Sequence, residues 1–165
     1  LASLAAKDGD VDRHLVSMRR SLAHSRKLGQ EPRIEIVDSV ARALVEMEVP
    51  EAVDACRQLL EHARVGSTAE GRTGAEILLA RALVIAGDDA GALGILAPLA
   101  RSMPEPGTAQ PERFWRVWTM TLEAMSRAEP ARVEEVKGHV TRLGLIDETL
   151  GGEPWASRLR ALAGR

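Results

Sequence analysis

Prolines divide this chain into stretches with helical apolar spacing, and this punctuation constrains the fold more than any other feature. Pro32, Pro50, Pro111, Pro130 and Pro154 each precede such a stretch. Proline is favoured at a helix start, because the N–H that it lacks would have no partner there. We therefore predict eight helices and a short tail, at about residues 1–8, 11–28, 32–48, 50–65, 69–86, 89–103, 111–128, 130–143 and 154–163.

Glycines stand where several of these helices should end, at Gly29, Gly66 and Gly87. Pro98 lies inside the predicted helix that starts near Asp89, so it should bend that helix or end it early. The chain has only 2% aromatic residues and no Tyr, so it is poor in the aromatic residues that favour β-strands. We expect an all-α fold.

The apolar positions of the second helices recur along the chain. Aligning His14, Ala52, Ala92 and Val133 gives intervals of about 40 residues, which is typical of a helix-pair repeat. Within the helices the apolar residues follow the 3.6-residue period, as in Val11, Leu15, Met18 and Leu22 or in Val133, Val136, Val140 and Leu143.

The segment from Ala75 to Pro104 resembles one tetratricopeptide unit. Seven of the signature positions of that family are matched here, by Leu79, Ala80, Leu83, Gly87, Ala92, Leu96 and Pro104. The ranges 37–63 and 114–143 keep parts of the pattern. The aromatic signature positions are largely missing, and within the segment from Ala75 to Pro104 it is Glu76 that stands where Trp is usual. The resemblance implies an α-solenoid, a right-handed stack of antiparallel helix pairs.

On this interpretation residues 1–165 form a single helical-repeat domain. It has a partial repeat at about 1–30, repeats at about 32–65, 69–104 and 111–143, and a capping helix at about 154–163 that carries Trp155. The resemblance implies a noncatalytic scaffold that binds a protein or peptide on its concave surface. Self-association into a homo-oligomer is left open.

A second resemblance points to a different class of function. The phrase AEGRTGAEILLARALVIAGDDAGAL is similar to the helical-repeat region of maltose-activator-type LuxR regulators. In that family the region is a sensing and oligomerisation arm, so the alternative is an effector-sensing arm of a bacterial transcriptional regulator. The DNA-binding module of the family is not found in the sequence.

The stretch GSTAEGRT, residues 66–73, differs by one letter from a phosphate-binding loop, because Arg72 stands where that loop has Lys. Such a loop must link a buried strand to a helix. The preceding segment, AVDACRQLLEHA, has helical spacing instead. We predict a connection between repeats and no nucleotide site.

No other pattern indicates chemistry. His14, His24, His62 and His139 form no pair at metal-ligand spacing, and Cys56 falls at a core position of the repeat. The carboxylates are scattered, and the pair Asp88-Asp89 is better explained as helix caps. We expect no catalytic residues, no metal and no cofactor, and therefore no enzyme.

The charge and hydropathy of the chain argue against two classes of partner, nucleic acids and membranes. The 22 basic and 24 acidic residues are interspersed without a basic stripe, which argues against nucleic acid. The longest apolar runs are too short to span a membrane. A single cysteine is compatible with a reducing compartment, so cytoplasm is the default location. Because the sequence does not begin with Met, we expect a piece of a longer protein.

The segment Phe114-Trp115-Arg-Val-Trp118 holds three of the four aromatic residues. Two interpretations are open. Large rigid side chains can anchor a partner. Alternatively, apolar residues on two sides of the helix indicate that it is sandwiched between neighbours.

The candidate binding groove is inferred from two arginines that occupy equivalent positions in consecutive predicted repeats. Arg42 follows Ala41 and Arg81 follows Ala80, at the same position of consecutive repeats, and in the tetratricopeptide family that position faces the concave surface. Two guanidinium groups there could hold a carboxylate by forked hydrogen bonds. The competing interpretation is that neighbouring acidic residues neutralise both arginines. The remaining groove candidates are Asp38, Glu46, Ile77 and Trp118.

Overall fold

The computed structural model describes residues 33–66, 68–104 and 111–164, together with residues 16, 17, 20, 23 and 27. The predicted helix at 1–8, most of the one at 11–28, and the helix end at Gly29 lie outside these residues. The described part of the chain is helical and contains no strand. The expectation of an all-α chain is confirmed for these ranges.

Seven α-helices and one turn of 3-10 helix occur in the described ranges. The helices are α1 (Ile34–Glu46), α2 (Ala52–Gly66), α3 (Ala69–Ile85), α4 (Asp89–Ser102), α5 (Pro111–Ala128), α6 (Val133–Ile146) and α7 (Trp155–Ala163). The 3-10 turn spans Pro130–Arg132, directly before α6. None of these helices is both long enough and apolar enough to cross a membrane.

Most helix starts agree with the proline and cap predictions. Helix α5 begins at Pro111 itself, and α7 begins directly after Pro154. The Asp88 carboxylate accepts a hydrogen bond of 2.8 Å from the Gly91 amide, so Asp88 is the N-cap of α4 as predicted. Asp89 is not a cap, because its carboxylate pairs with Arg127 of α5 at 2.8 Å.

Three predicted starts are wrong by two or three residues, and the first is that of α1, which begins at Ile34 and not at residue 32. Pro50 belongs to a turn, and α2 begins only at Ala52. Pro130 starts the 3-10 turn, and α6 begins at Val133. Short 3-10 segments are common at helix ends. Pro130 therefore lies in the segment that precedes α6 and is not the first α-helical residue.

Pro98 does not end its helix, because α4 continues to Ser102. A proline inside a helix cannot donate to the carbonyl four residues earlier, which here belongs to Gly94. The prediction that Pro98 ends the helix early is therefore wrong. The alternative, that Pro98 bends the helix, stays a prediction.

The chain divides into two compact units, Leu1–Ala86 and Gly87–Arg165. In the first unit α2 packs against both α1 and α3, and α1 and α3 also touch each other. Each helix contributes buried apolar residues, among them Val37, Leu44, Cys56, Leu79 and Leu83.

In the second unit α4 packs along α5, and α7 packs against both α5 and α6. The core cluster is built on one face of α5 and closed by α6, α7 and the loop between them. Trp118 and Trp155 are half-buried against this cluster. Its buried members are Phe114, Trp115, Leu122, Met125, Val136, Val140, Leu143, Leu150, Ala156, Leu159 and Leu162.

Candidate functional site

Two turns that follow helices have the same backbone geometry and lie about 40 residues apart. The Met47 amide donates to the Ala43 carbonyl and the Ala86 amide to the Ala82 carbonyl, both at 3.0 Å. The next residue in each turn is left-handed, with φ of 53° at Glu48 and 80° at Gly87.

Small residues of the predicted repeat are fully buried. Ala41 and Ala80, one in α1 and one in α3, have no exposed surface. The same holds for Ala52 and Ala92, which lie in α2 and α4. Small side chains at these positions allow close approach of a neighbouring helix.

Arg42 lies next to Ala41 on the exposed side of α1, with 57% of its side chain exposed. Its Nε donates a hydrogen bond of 2.8 Å to Asp38 Oδ2, one turn earlier. This bond, together with the negative charge of Glu46 nearby, raises the pKa of Arg42 above its usual value. For Arg42, the predicted local neutralisation by Asp38 is therefore confirmed.

Arg81 differs from Arg42, since it is exposed on α3 and makes no hydrogen bond or ion pair with the described residues. Ile77, one turn earlier on α3, is half-buried. Because α1 and α3 touch, the first unit brings the helices of Arg42, Glu46, Arg81 and Ile77 together. The guanidinium group of Arg81 is thus available to bind a carboxylate of a ligand.

Trp118, the sixth groove candidate, belongs to the second unit. Its ring centroid lies 5.5 Å from that of His139 on α6 and 6.3 Å from that of Phe114. Its Nε1 is buried and has no hydrogen-bond partner among the described residues. Burial, followed by the positive charge of Arg142, lowers the pKa of His139 below its usual value.

Helix α5 is buried on two sides, as the sandwiched interpretation predicts. Phe114 and Trp115 belong to the core cluster, whereas Met120 and Ala124, on the opposite side of α5 from Trp115, are also buried. Trp115 and Phe114 make an edge-to-face contact with centroids 5.2 Å apart. The aromatic segment therefore contributes to the core and does not form an exposed anchor.

The stretch that resembles a phosphate-binding loop is largely helical. Thr68 is the N-cap of α3, and its hydroxyl accepts a hydrogen bond from the Gly71 amide at 3.2 Å. The Arg72 amide donates to the Thr68 carbonyl at 3.1 Å. A phosphate-binding loop presents such amides to its ligand, but these two already have partners inside the chain.

The thiol of Cys56 is buried in the first unit. Burial raises the pKa of this thiol to about 11. A reactive thiol requires a lowered pKa and exposure, so the predicted core role fits the environment of Cys56. In the described residues no group of three or more His, Cys, Asp or Glu side chains is arranged to hold a metal ion.

A cleft in the second unit was not anticipated from the sequence. It is an open groove of about 460 Å³ between the start of α5 and the loop that joins α6 to α7. Among the described residues its lining includes Trp115, Trp155 and three carboxylates, and no Lys, Arg or His. The carboxylates are those of Glu112, Asp147 and Glu153.

The loop beneath the cleft is held by Asp147. One carboxylate oxygen accepts from the Thr149 amide at 2.9 Å and from its hydroxyl at 2.7 Å, and the other accepts from the Gly151 amide at 3.1 Å. These hydrogen bonds lower the pKa of Asp147, so the group is ionised at neutral pH. Leu150 is buried and fixes the loop to the core.

The sequence signal for this loop is the run Gly151-Gly152-Glu153-Pro154-Trp155, in which turn-forming residues precede a tryptophan. Three consecutive residues have positive φ, with 53° at Leu150, 79° at Gly151 and 72° at Gly152. Two glycines in a row predict a tight turn, but the proximity of this turn to Trp115 cannot be derived from local sequence.

Comparisons with protein-family models, with curated proteins and with solved structures find no match to this chain. The assignment of function therefore depends on the geometry of the two units.

Proposed function

We propose that this chain is a noncatalytic scaffold of tetratricopeptide type that binds a protein or peptide, and that it belongs to a larger protein. The observation that carries the proposal is the recurrence of one backbone turn, with a left-handed residue at Glu48 and again at Gly87. A repeat predicts that the same turn returns at the same interval.

Packing in the first unit supports the same proposal. In a stack of helix pairs, the first helix of one pair packs against both helices of the preceding pair. Here α3 packs against both α2 and α1. The fully buried alanines Ala41 and Ala80 give α1 and α3 the same register, and Arg42 and Arg81 then occupy equivalent exposed positions.

We infer that the ligand of this face carries a carboxylate, such as an acidic side chain or a peptide C-terminus. Arg81 has no competing partner among the described residues, so it can form a bidentate pair with a carboxylate. Arg42 must share its charge with Asp38. Arg81 is therefore expected to contribute more to binding than Arg42.

The test is selection from an acidic peptide library, followed by titration of the enriched peptide against charge-reversal variants. Arg81→Glu and Arg42→Glu should each weaken binding by about tenfold or more, with the larger loss at Arg81. Arg57→Glu is the matched control, because Arg57 is a similarly exposed arginine on α2. It should change affinity by less than about twofold.

Equal losses in all three variants would mean that net charge, and not the α1 and α3 register, determines binding. An absence of any enriched acidic peptide would also contradict the proposal. A thermal-shift screen with small metabolites addresses the alternative, because a stabilising metabolite would favour an effector-sensing arm of a transcriptional regulator.

A further inference from the structure

The cleft of the second unit has the size and composition of a ligand site. Small-molecule sites in proteins are concave, enclose roughly 300 to 1,000 Å³, and combine apolar walls with a few polar groups. The cleft has a volume of about 460 Å³, with tryptophan and proline walls and a small set of carboxylates. All of its lining residues belong to the second unit.

The charged residues in the described lining of the cleft are all acidic. Asp147 keeps its charge because three hydrogen bonds stabilise the carboxylate. Glu112 shares its charge with Arg116, which donates a hydrogen bond of 2.8 Å. Glu153 is exposed and has no ion-pair partner among the described residues. An incoming cation would therefore meet one unshared carboxylate and two partly engaged ones.

Trp155, which lines the cleft, also favours a cationic ligand. Cations are attracted to the face of an indole ring, and the Trp155 ring already has the Arg158 guanidinium 5.6 Å from its centroid. Arg158 is held by two hydrogen bonds to Glu123, of 2.8 and 2.6 Å. Its charge is thus balanced locally, which limits its repulsion of a second cation.

We propose that this cleft binds a small organic cation, an ammonium or guanidinium group attached to an apolar body. The carboxylate of Glu153 would pair with the cationic group, and the half-buried ring of Trp155 would contact the apolar body. The loop held by Asp147 and Leu150 is ordered before binding, which reduces the entropy lost on association.

Three probes with one body and different charges test the proposal, namely benzylammonium, benzyl alcohol and benzoate. Binding can be followed by intrinsic tryptophan fluorescence, since two of the three tryptophans line the cleft. Benzylammonium should bind at least about fivefold more tightly than benzyl alcohol, and benzoate should bind most weakly. Equal binding of all three probes, or no binding of benzylammonium, would overturn the proposal.

The matched variants are Glu153→Gln and Glu148→Gln. Both residues are exposed in the same loop, but only Glu153 lines the cleft. Glu153→Gln should weaken benzylammonium binding about fivefold, whereas Glu148→Gln should leave it within about twofold. The proposal fails if the two variants behave alike while their circular dichroism spectra match that of the wild type.

The source of the cation can be assigned with butylguanidinium and a terminally blocked Gly-Arg-Gly peptide. Tighter binding of the peptide would indicate a basic side chain, and tighter binding of butylguanidinium would indicate a free small molecule. Either result supports a cation site, and failure of both cations to bind contradicts it. The groove arginines of the first unit are not involved, so this test is independent of the proposed peptide binding.

Discussion

Replacing Gly151 by Ala is the sharpest perturbation of the loop between α6 and α7. A Cβ atom built on Gly151 would lie 2.3 Å from Cγ of Trp115 and 2.5 Å from two further ring atoms. The ring is part of the buried core cluster and cannot move aside as an exposed side chain would. Gly151 also has φ of 79°, where a side chain is disfavoured.

Two costs therefore add at this position. The left-handed backbone costs about 1 to 2 kcal/mol for a residue with a Cβ. Forcing a methyl group into a packed core costs about 1 to 3 kcal/mol more. We expect Gly151→Ala to lower the free energy of unfolding by about 2 to 5 kcal/mol.

Gly152→Ala is the matched control. Gly152 has nearly the same backbone, with φ of 72°, but its added Cβ would meet no atom within 4 Å. Its expected cost is that of the backbone conformation alone, about 1 to 2 kcal/mol. Urea unfolding followed by circular dichroism compares the two variants. If both lose the same stability within about 0.5 kcal/mol, the contact with Trp115 is not what requires glycine at 151.

Three further substitutions test other parts of the structure. Leu79→Ala should lower the free energy of unfolding by about 2 to 5 kcal/mol because Leu79 is buried, and in the same denaturation assay the half-buried Ile77→Ala should cost less. Pro98→Ala should raise it by about 2 kcal/mol, since alanine restores the bond to Gly94 and Pro98 is exposed; a loss of stability would contradict this reasoning. For His139 the pKa is lowered in the folded chain. The unfolded chain therefore binds more protons, and stability falls as pH decreases from about 7.5 to 5.5. The melting temperature of His139→Gln should fall less over this range, and an identical fall would show that His139 does not contribute.

The helices could be predicted from sequence because the signals for them are local. Pro111, Pro154 and Asp88 each act within one turn of the helix that they precede. Burial of Cys56 and Leu79 was predicted from the core positions that the tetratricopeptide pattern assigns to them, and both are buried. Helix starts and buried positions can be predicted in this way without knowing which helices pack against each other.

The cleft could not be predicted, because it depends on residues distant in sequence. Trp115 and Gly151 are in contact only after α5 and α6 have packed. Local signals were also incomplete, since Leu150 adopts φ of 53° without being a glycine. Burial of its side chain in the core cluster offsets the cost of that conformation.

The turns at Glu48 and Gly87 both contain a left-handed residue, although their sequences differ. The Glu48 amide donates to the Val45 carbonyl and the Val49 amide to the Leu44 carbonyl, which is the hydrogen-bond pattern of a Schellman motif. That motif requires a left-handed residue, and glycine supplies it at lowest cost. Gly87 does so in the later turn, whereas at Glu48 the two backbone bonds hold a glutamate in the same conformation. The left-handed residue can therefore be predicted from residue identity at Gly87, whereas at Glu48 only the backbone geometry shows it.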